Sequence, residues 1–319
     1  KLSQWKRKQF VAQERAVVDD NFTGYSDAFS QNAWRGFAPL VHPDNVTAGD
    51  YFSTLGNQSY LWSYGCGGGW WDNANGVGST AQFASSNLQS VFTILFGSYF
   101  GDWDAQNNFL RAPLASGRTL TNFWAGYPNW FFHHMGLGET IGYATVLSQN
   151  NGNNHYEPAN PQAGRIHLAL MGDPTLRMRM VAPPGAVNCA QVNSTLTNVS
   201  WGAATETVLG YHVYRFNTTT QTWVRRTTAA VTGTSFVDNT SGVSGTVRYM
   251  VRSLKLENGT SGSYFNLSVG SFGQVVINAQ PTDCLGVVNG VAHPGTPCND
   301  NNLCTTNDTW SASCQCVGT

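Results

Sequence analysis

Two apolar runs that each end in glycines organise the first part of the chain. Tyr60-Leu61-Trp62-Ser63-Tyr64 opens into Gly65-Cys66-Gly67-Gly68-Gly69, and about thirty residues later Val91-Phe92-Thr93-Ile94-Leu95-Phe96 opens into Gly97-Ser98-Tyr99. Continuous short apolar runs of this kind predict parallel strands buried on both faces. Ala16-Val17-Val18-Asp19-Asp20 predicts another short strand entering a loop. Helical patterns are expected over Leu2 to Arg15, from Thr80 onward, and from Trp130 to Leu147. Glycine-bounded strands alternating with helices imply an α/β layered sheet. Open sheets of that class bind at the carboxyl ends of their strands, so the two glycine-rich ends mark a candidate cleft.

The pattern changes after Ala182-Pro183-Pro184-Gly185, where proline can continue neither a helix nor a central strand. Short alternating strands are predicted at Leu196 to Trp201, Gly210 to Phe216, Thr222 to Thr227, Thr246 to Leu254 and Tyr264 to Val269. Turn-rich spacers between them imply an antiparallel β-sandwich. From Asp283 onward, Cys284, Cys298, Cys304, Cys314 and Cys316 crowd a segment too small to build a core, so disulfides are expected to hold it. The chain therefore divides into an α/β domain over 1–181, a β-sandwich over 182–280 and a cysteine-rich module over 281–319.

Composition narrows the partners. The 319 residues are 11% charged with a net charge of −1, which offers no electrostatic footprint for nucleic acid. No apolar run is long enough to span a bilayer, and the chain does not open on a signal peptide. Lys1 to Lys8 reads as the middle of a helix, so the sequence is expected to be part of a longer precursor. Seven cysteines leave at least one thiol unpaired, and Cys66 is the expected one. A zinc site would need two CxxC-like pairs, and Cys314-Gln315-Cys316 is spaced too closely. Asn45, Asn193, Asn217 and Asn258 open Asn-x-Ser/Thr triplets that could carry glycans.

From Gly24 to about Val181 the chain resembles the gingipain-type cysteine peptidases, which share the caspase-like α/β fold. Ser63-Tyr64-Gly65-Cys66-Gly67-Gly68-Gly69 is similar to the strand-end motif that holds the family's histidine, with Gly67 where the histidine would stand. Ile94 to Asp104 resembles the nucleophile segment, with Ser98 at or beside the cysteine position, Gly97 and Tyr99 flanking it, and Asp102 a further motif position. Gly138-Glu139-Thr140-Ile141-Gly142 and Leu170-Met171-Gly172-Asp173-Pro174-Thr175-Leu176 are similar to the family's late helix and closing strand. The resemblance implies that both catalytic side chains are missing from their usual places. It also implies that part of the domain precedes residue 1, leaving a sheet edge for that part or another chain to cover.

Two further resemblances follow. Val199-Ser200-Trp201, Gly210-Tyr211-His212-Val213-Tyr214-Arg215 and Tyr249-Met250-Val251-Arg252-Ser253 resemble a fibronectin type III domain, with Trp201 and Tyr249 as core and corner residues. The cysteine-rich end is similar to repeats near the ends of large secreted proteins of Bacteroidetes-type bacteria. That likeness implies type IX secretion and an extracellular or outer-membrane surface location.

The candidate catalytic residues are Cys66, Ser98, His133 and His134. A thiol or hydroxyl is a poor nucleophile until a base within hydrogen-bond reach takes its proton, and Gly67 supplies none. Cys66 reads either as a relocated nucleophile or as a small buried residue in a tight turn. Ser98 reads either as a nucleophile beside backbone oxyanion donors or as turn chemistry. His133 and His134 follow an apolar, helical-looking stretch and offer either a substitute base or a packing element. Adjacent histidines on a helix point to different faces, which excludes a helical zinc pair, and His155, His167, His212 and His293 are scattered. Asp102 and Asp104 could bind calcium or cap the following segment. No metal and no cofactor are expected. Three functions remain: a degenerate peptidase domain serving as scaffold or binding module, an active cysteine or serine endopeptidase, and an adhesin or filament subunit. The partner is then a protein, a peptide or a polysaccharide, on which Trp70 and Trp71 beside the glycine loop could stack.

Overall fold

The computed structural model describes residues 1–24, 29–101, 104–125, 130–149, 168–278, 282–287 and 290–319. Two compact units are present, one of Lys1–Ala182 with Leu254–Val269 and one of Pro183–Ser253 with Gly270–Thr319.

The first unit begins with a short helix α1 (Leu2–Lys6), strand β1 (Ala16–Asp20), helix α2 (Gln31–Val41), strand β2 (Val46–Ala48), helix α3 (Tyr51–Asn57) and strand β3 (Tyr60–Cys66). Three two-residue strands follow, β4 (Gly69–Trp70), β5 (Asn73–Ala74) and β6 (Gly78–Ser79), then α4 (Thr80–Ser85), β7 (Ser90–Phe96), β8 (Thr121–Ala125), a 3₁₀ turn at His133–Leu137, α5 (Ile141–Gln149) and β9 (Leu168–Gly172). The main sheet has six strands in the order β2-β1-β3-β7-β8-β9. All neighbours are parallel except β8 and β9. Every residue of β3 and β7 is buried, as the uninterrupted apolar runs require of central strands covered on both faces. One core layer contains Phe37, Trp62, Phe92, Phe123, Trp130 and Phe132; the other contains Tyr51, Phe83, Leu95, Phe100 and Phe109.

Local signals explain the helix starts. Asp50 caps α3 by accepting from the Ser53 N–H at 2.7 Å. Ser79 and Gln82 form a reciprocal capping box on α4. Two helical expectations are corrected. The helix foreseen over Leu2 to Arg15 stops at Lys6, because Trp5 turns into the core and Lys8 adopts a left-handed φ of 53°. The helix foreseen from Trp130 is a 3₁₀ turn closed by Gly138 at φ 94°, and regular helix begins only at Ile141.

The strands that follow are β10 (Val187–Gln191), β11 (Leu196–Trp201), β12 (Gly210–Asn217), β13 (Thr222–Arg225), β14 (Ser235–Asn239), β15 (Gly245–Gly259), β16 (Gly262–Leu267) and β17 (Ser271–Ile277), all in the second unit except β16 and the end of β15. The second unit's two sheets are β10-β11-β14 and β13-β12-β15-β17, the sandwich that the alternating pattern predicts. Val199, Trp201, Val213, Tyr249 and Val251 meet between the sheets. The Tyr249 hydroxyl donates to Asp238 Oδ2 at 2.8 Å, beside ion pairs from Arg215 and Arg226 to the same carboxylate. β15 runs five residues past Leu254, and its far end pairs with β16 as a hairpin counted with the first unit. There Ser261 donates to the Pro39 carbonyl and Asn266 to the Arg179 carbonyl. The C-terminal segment carries strands β18 (Thr309–Trp310) and β19 (Cys316–Val317) and two disulfides, Cys284–Cys314 and Cys298–Cys316. Cys66, Cys189 and Cys304 are free thiols, so Cys66 is one of three and not a single leftover.

Candidate functional site

The strand order reverses beside β1, so the crevice between the carboxyl ends of β1 and β3 is the topological switch point at which open sheets bind ligands. Asp20 ends β1, Cys66 ends β3, and the two are register partners. The Cys66 thiol is buried and donates to Asp20 Oδ1 at 3.2 Å. Burial pushes its pKa up to about 12, and the facing carboxylate pushes the same way. A thiol so placed is held protonated, the reverse of what a nucleophilic cysteine needs. For Asp20, burial opposes the charge, but hydrogen bonds from Ser30, the Phe22 N–H and Cys66 outweigh it and hold the carboxyl below its ordinary range. Asp19, one residue earlier, is raised by burial although it accepts from the Tyr51 N–H and from Asn21.

Gly67, where the resemblance places the histidine, is buried, and a Cβ on it would fall 2.0 Å from the Asn75 carbonyl oxygen. No side chain fits there without moving backbone. The neighbouring loop is as tight: a Cβ on Gly69 would lie 2.5 Å from the Ser98 nitrogen and 2.4 Å from its carbonyl oxygen. A Cβ on Gly97 would lie 2.8 Å from the Gly67 carbonyl oxygen. The two strand-end loops are therefore packed backbone against backbone, pinned by hydrogen bonds from the Gly67 N–H to the Phe96 carbonyl and from Trp124 Nε1 to the Gly97 carbonyl. Gly65 is confined less tightly, a Cβ on it lying 2.9 Å from the Val77 side chain, whereas Gly68 and the Ser98 side chain are exposed.

The histidine pair lies elsewhere. Arg179 is paired with Glu14, two residues before β1, and also donates to the Gly136 carbonyl at 3.4 Å. A Cβ on Gly136 would touch Leu40, near the end of α2. Both landmarks belong to the amino edge of the sheet. The five residues of β1 separate that edge from Asp20 by roughly 13–17 Å. A catalytic pair needs hydrogen-bond reach, so the structure does not bring His133 or His134 to Cys66 or Ser98. The two rings lie 4.2 Å apart between centroids. Burial and the neighbouring imidazole both lower the His133 pKa. Among the described residues no three His, Cys, Asp or Glu side chains gather as a metal site. Asp104 is exposed, and Asp102, His155 and His167 lie outside the described residues.

Asp20 and Asn75 are the cleft residues that sequence reasoning missed. An aspartate closing an apolar strand, and an Asn-Gly turn dipeptide at Asn75-Gly76, were the available signals.

No protein-family model and no curated protein matches this chain. Solved structures similar to it are fibronectin type III-like and related modular proteins. A Fn3-like protein from Clostridium thermocellum is 18% identical over 30% of this chain and 90% of that one, with a TM-score of 0.24. A titin fragment is 15% identical, matching 36% of this chain but only 37% of the fragment, with a TM-score of 0.24. The rat CD45 extracellular region, domains d3–d4, is 15% identical over 35% of this chain and 56% of that one, with a TM-score of 0.23. No helix among the described residues is long and apolar enough to cross a membrane.

Proposed function

We propose that the first unit is a gingipain-like, caspase-like domain that has lost peptidase chemistry and serves as a scaffold or binding module in a secreted protein. The observation that carries this reading is the closure of Gly67 by the Asn75 carbonyl, which leaves no room for an imidazole at the motif position. The protonated, carboxylate-facing thiol of Cys66 supports it. The two disulfides fit maturation in an oxidising compartment, and with the repeat-like C-terminal segment they support export, by the type IX route, to the outer-membrane surface or beyond.

The test is incubation of the full chain with casein and a peptide library, alongside a thiol-directed peptidase probe. No cleavage and no labelling of Cys66 are expected; cleavage that iodoacetamide abolishes would overturn the reading. A second reading, an adhesin, is favoured by a separate observation on the rim of the same loops.

A further inference from the structure

Three aromatic side chains stand out from the strand-end loops. Trp70, Trp71 and Tyr99 are 43%, 38% and 54% exposed, although large rings usually gain most from burial. The Trp70 ring lies 4.7 Å from Trp71 and 4.8 Å from Tyr99, centroid to centroid. Tyr99 holds its place from a left-handed backbone at φ 64°, a conformation that costs an aromatic residue energy and that surrounding structure must enforce.

The small sheet β4-β5-β6 joins this cluster to a groove. Trp70 pairs directly across β4 and β5 with Asn73, and Asn73 lines an open groove of about 590 Å³. Asn75, Ser79, Gln82 and Ser53 line it with Phe52, so neutral amides and hydroxyls dominate. Among the described residues its one charged lining residue is Asp50, whose carboxylate already caps α3, and no lysine or arginine lines it.

Each class of ligand meets these facts differently. A phosphorylated, sulfated or otherwise anionic ligand finds no cation. A greasy helix finds only Phe52, Ala74 and Val77 among polar walls. A neutral saccharide fits both parts, because its C–H faces stack on exposed rings while its hydroxyls exchange hydrogen bonds with amides that both donate and accept. We propose that Trp70, Trp71 and Tyr99, with the Asn73–Gln82 groove, form a binding site for a neutral oligosaccharide. The site uses the exposed rings and the groove and needs no chemistry at Cys66, so it stands whether or not the cleft is silent.

The experiment is titration of the full chain, by calorimetry and by tryptophan fluorescence, with neutral hexasaccharides of glucose, mannose and xylose, a heparin-derived hexasaccharide and a proline-rich decapeptide. At least one neutral hexasaccharide is expected to saturate. Trp70→Ala with Tyr99→Ala should weaken it at least tenfold, Asn73→Ala should weaken it separately, and Trp70→Phe should restore part of the affinity, all with an unchanged melting transition. Failure of every neutral hexasaccharide to saturate, affinity that survives loss of the rings, or binding confined to the heparin fragment or the decapeptide overturns the site. The same preparation is assayed on casein, where cleavage would sink the silent-peptidase reading without touching this one.

Discussion

The carbonyl oxygen of Asn75 occupies the space in which a side chain on Gly67 would begin, 2.0 Å from where its Cβ would stand. Absence of a histidine from one position is a single substitution and could be reversed by another. A backbone oxygen in the same place means that the β5–β6 connection fills the space a side chain at position 67 would need.

Substitution at Gly67 should therefore be costly and should restore nothing. Gly67→Ala is expected to lower stability by about 1–3 kcal/mol, the usual range for overpacking a close-packed site, and Gly67→His by more. Urea unfolding of the variants beside the parent checks the first expectation. Casein assays of whatever Gly67→His protein folds check the second, and cleavage by that variant would contradict it.

The three free thiols should separate cleanly by reactivity. Cys304 is exposed, whereas burial pushes Cys66 to about 12 and Cys189 to about 11. At pH 8 only roughly one Cys66 in ten thousand is then a thiolate, before its inaccessibility is counted. Ellman's reagent should titrate one thiol quickly in the native chain and three in urea. A second fast thiol assigned by mass spectrometry to Cys66 would contradict the geometry described for β3.

Much of this was legible in the residues and some was not, for reasons that can be named. β3 and β7 were visible because central parallel strands are apolar throughout, and a run such as Val91 to Phe96 has few other uses. The alternation Leu196 to Trp201 likewise announced a half-buried strand. Lys6, Arg7 and Lys8 are good helix formers and argue for a longer α1; what ends it is the long-range seat of Trp5, whose indole donates to the Arg177 carbonyl. Grouping of the β15–β16 hairpin with the first unit depends on partners such as Pro39 and Arg179, more than seventy residues away in the chain. In the cleft, the glycine at position 67 was legible, but the carbonyl that closes the space beside it was not, since any residue at position 75 has one.

Asp173 should give the chain a measurable acid dependence. It pairs with Lys6 at 2.6 Å and accepts from the Thr175 N–H and hydroxyl. Burial opposes its charge, but these partners prevail and hold its pKa at about 2. A depressed carboxylate pKa contributes stability that is fully present above the unfolded value near 4 and is lost as pH falls through the folded value. Asp173→Asn should thus be less stable than the parent at pH 7 by about 1 kcal/mol, a figure limited by solvent screening of a partly exposed pair. The gap should shrink between pH 4 and pH 2. Denaturant midpoints at pH 7, 4 and 2 read it directly, and a constant gap would show that lost hydrogen bonds, not charge, set the difference.

Four hydroxyls meet inside the sheet, and their coupling is the sharpest stability test the first unit offers. Tyr51, wholly buried on α3, hydrogen-bonds Thr93 on β7, while Ser63 on β3 reaches the Tyr51 hydroxyl at 3.2 Å, Thr93 at 2.9 Å and Ser90 at 2.8 Å. Burial pushes the Tyr51 pKa up to about 12, so the group remains a neutral donor throughout the working pH range. Tyr51→Phe leaves Thr93 and Ser63 short of a partner in a dry interior, at about 1–3 kcal/mol. Thr93→Val does the same to Tyr51 and Ser63. Removing both leaves neither a Tyr51 nor a Thr93 hydroxyl without its partner, and Ser63 keeps Ser90, so the double variant should lose less than the sum of the two, with a coupling of about 0.5–3 kcal/mol. Strict additivity in a double-mutant cycle would mean that each hydroxyl finds another partner when its neighbour is removed. The cluster would then be a set of separate hydrogen bonds and not one network tying α3 to the two central strands.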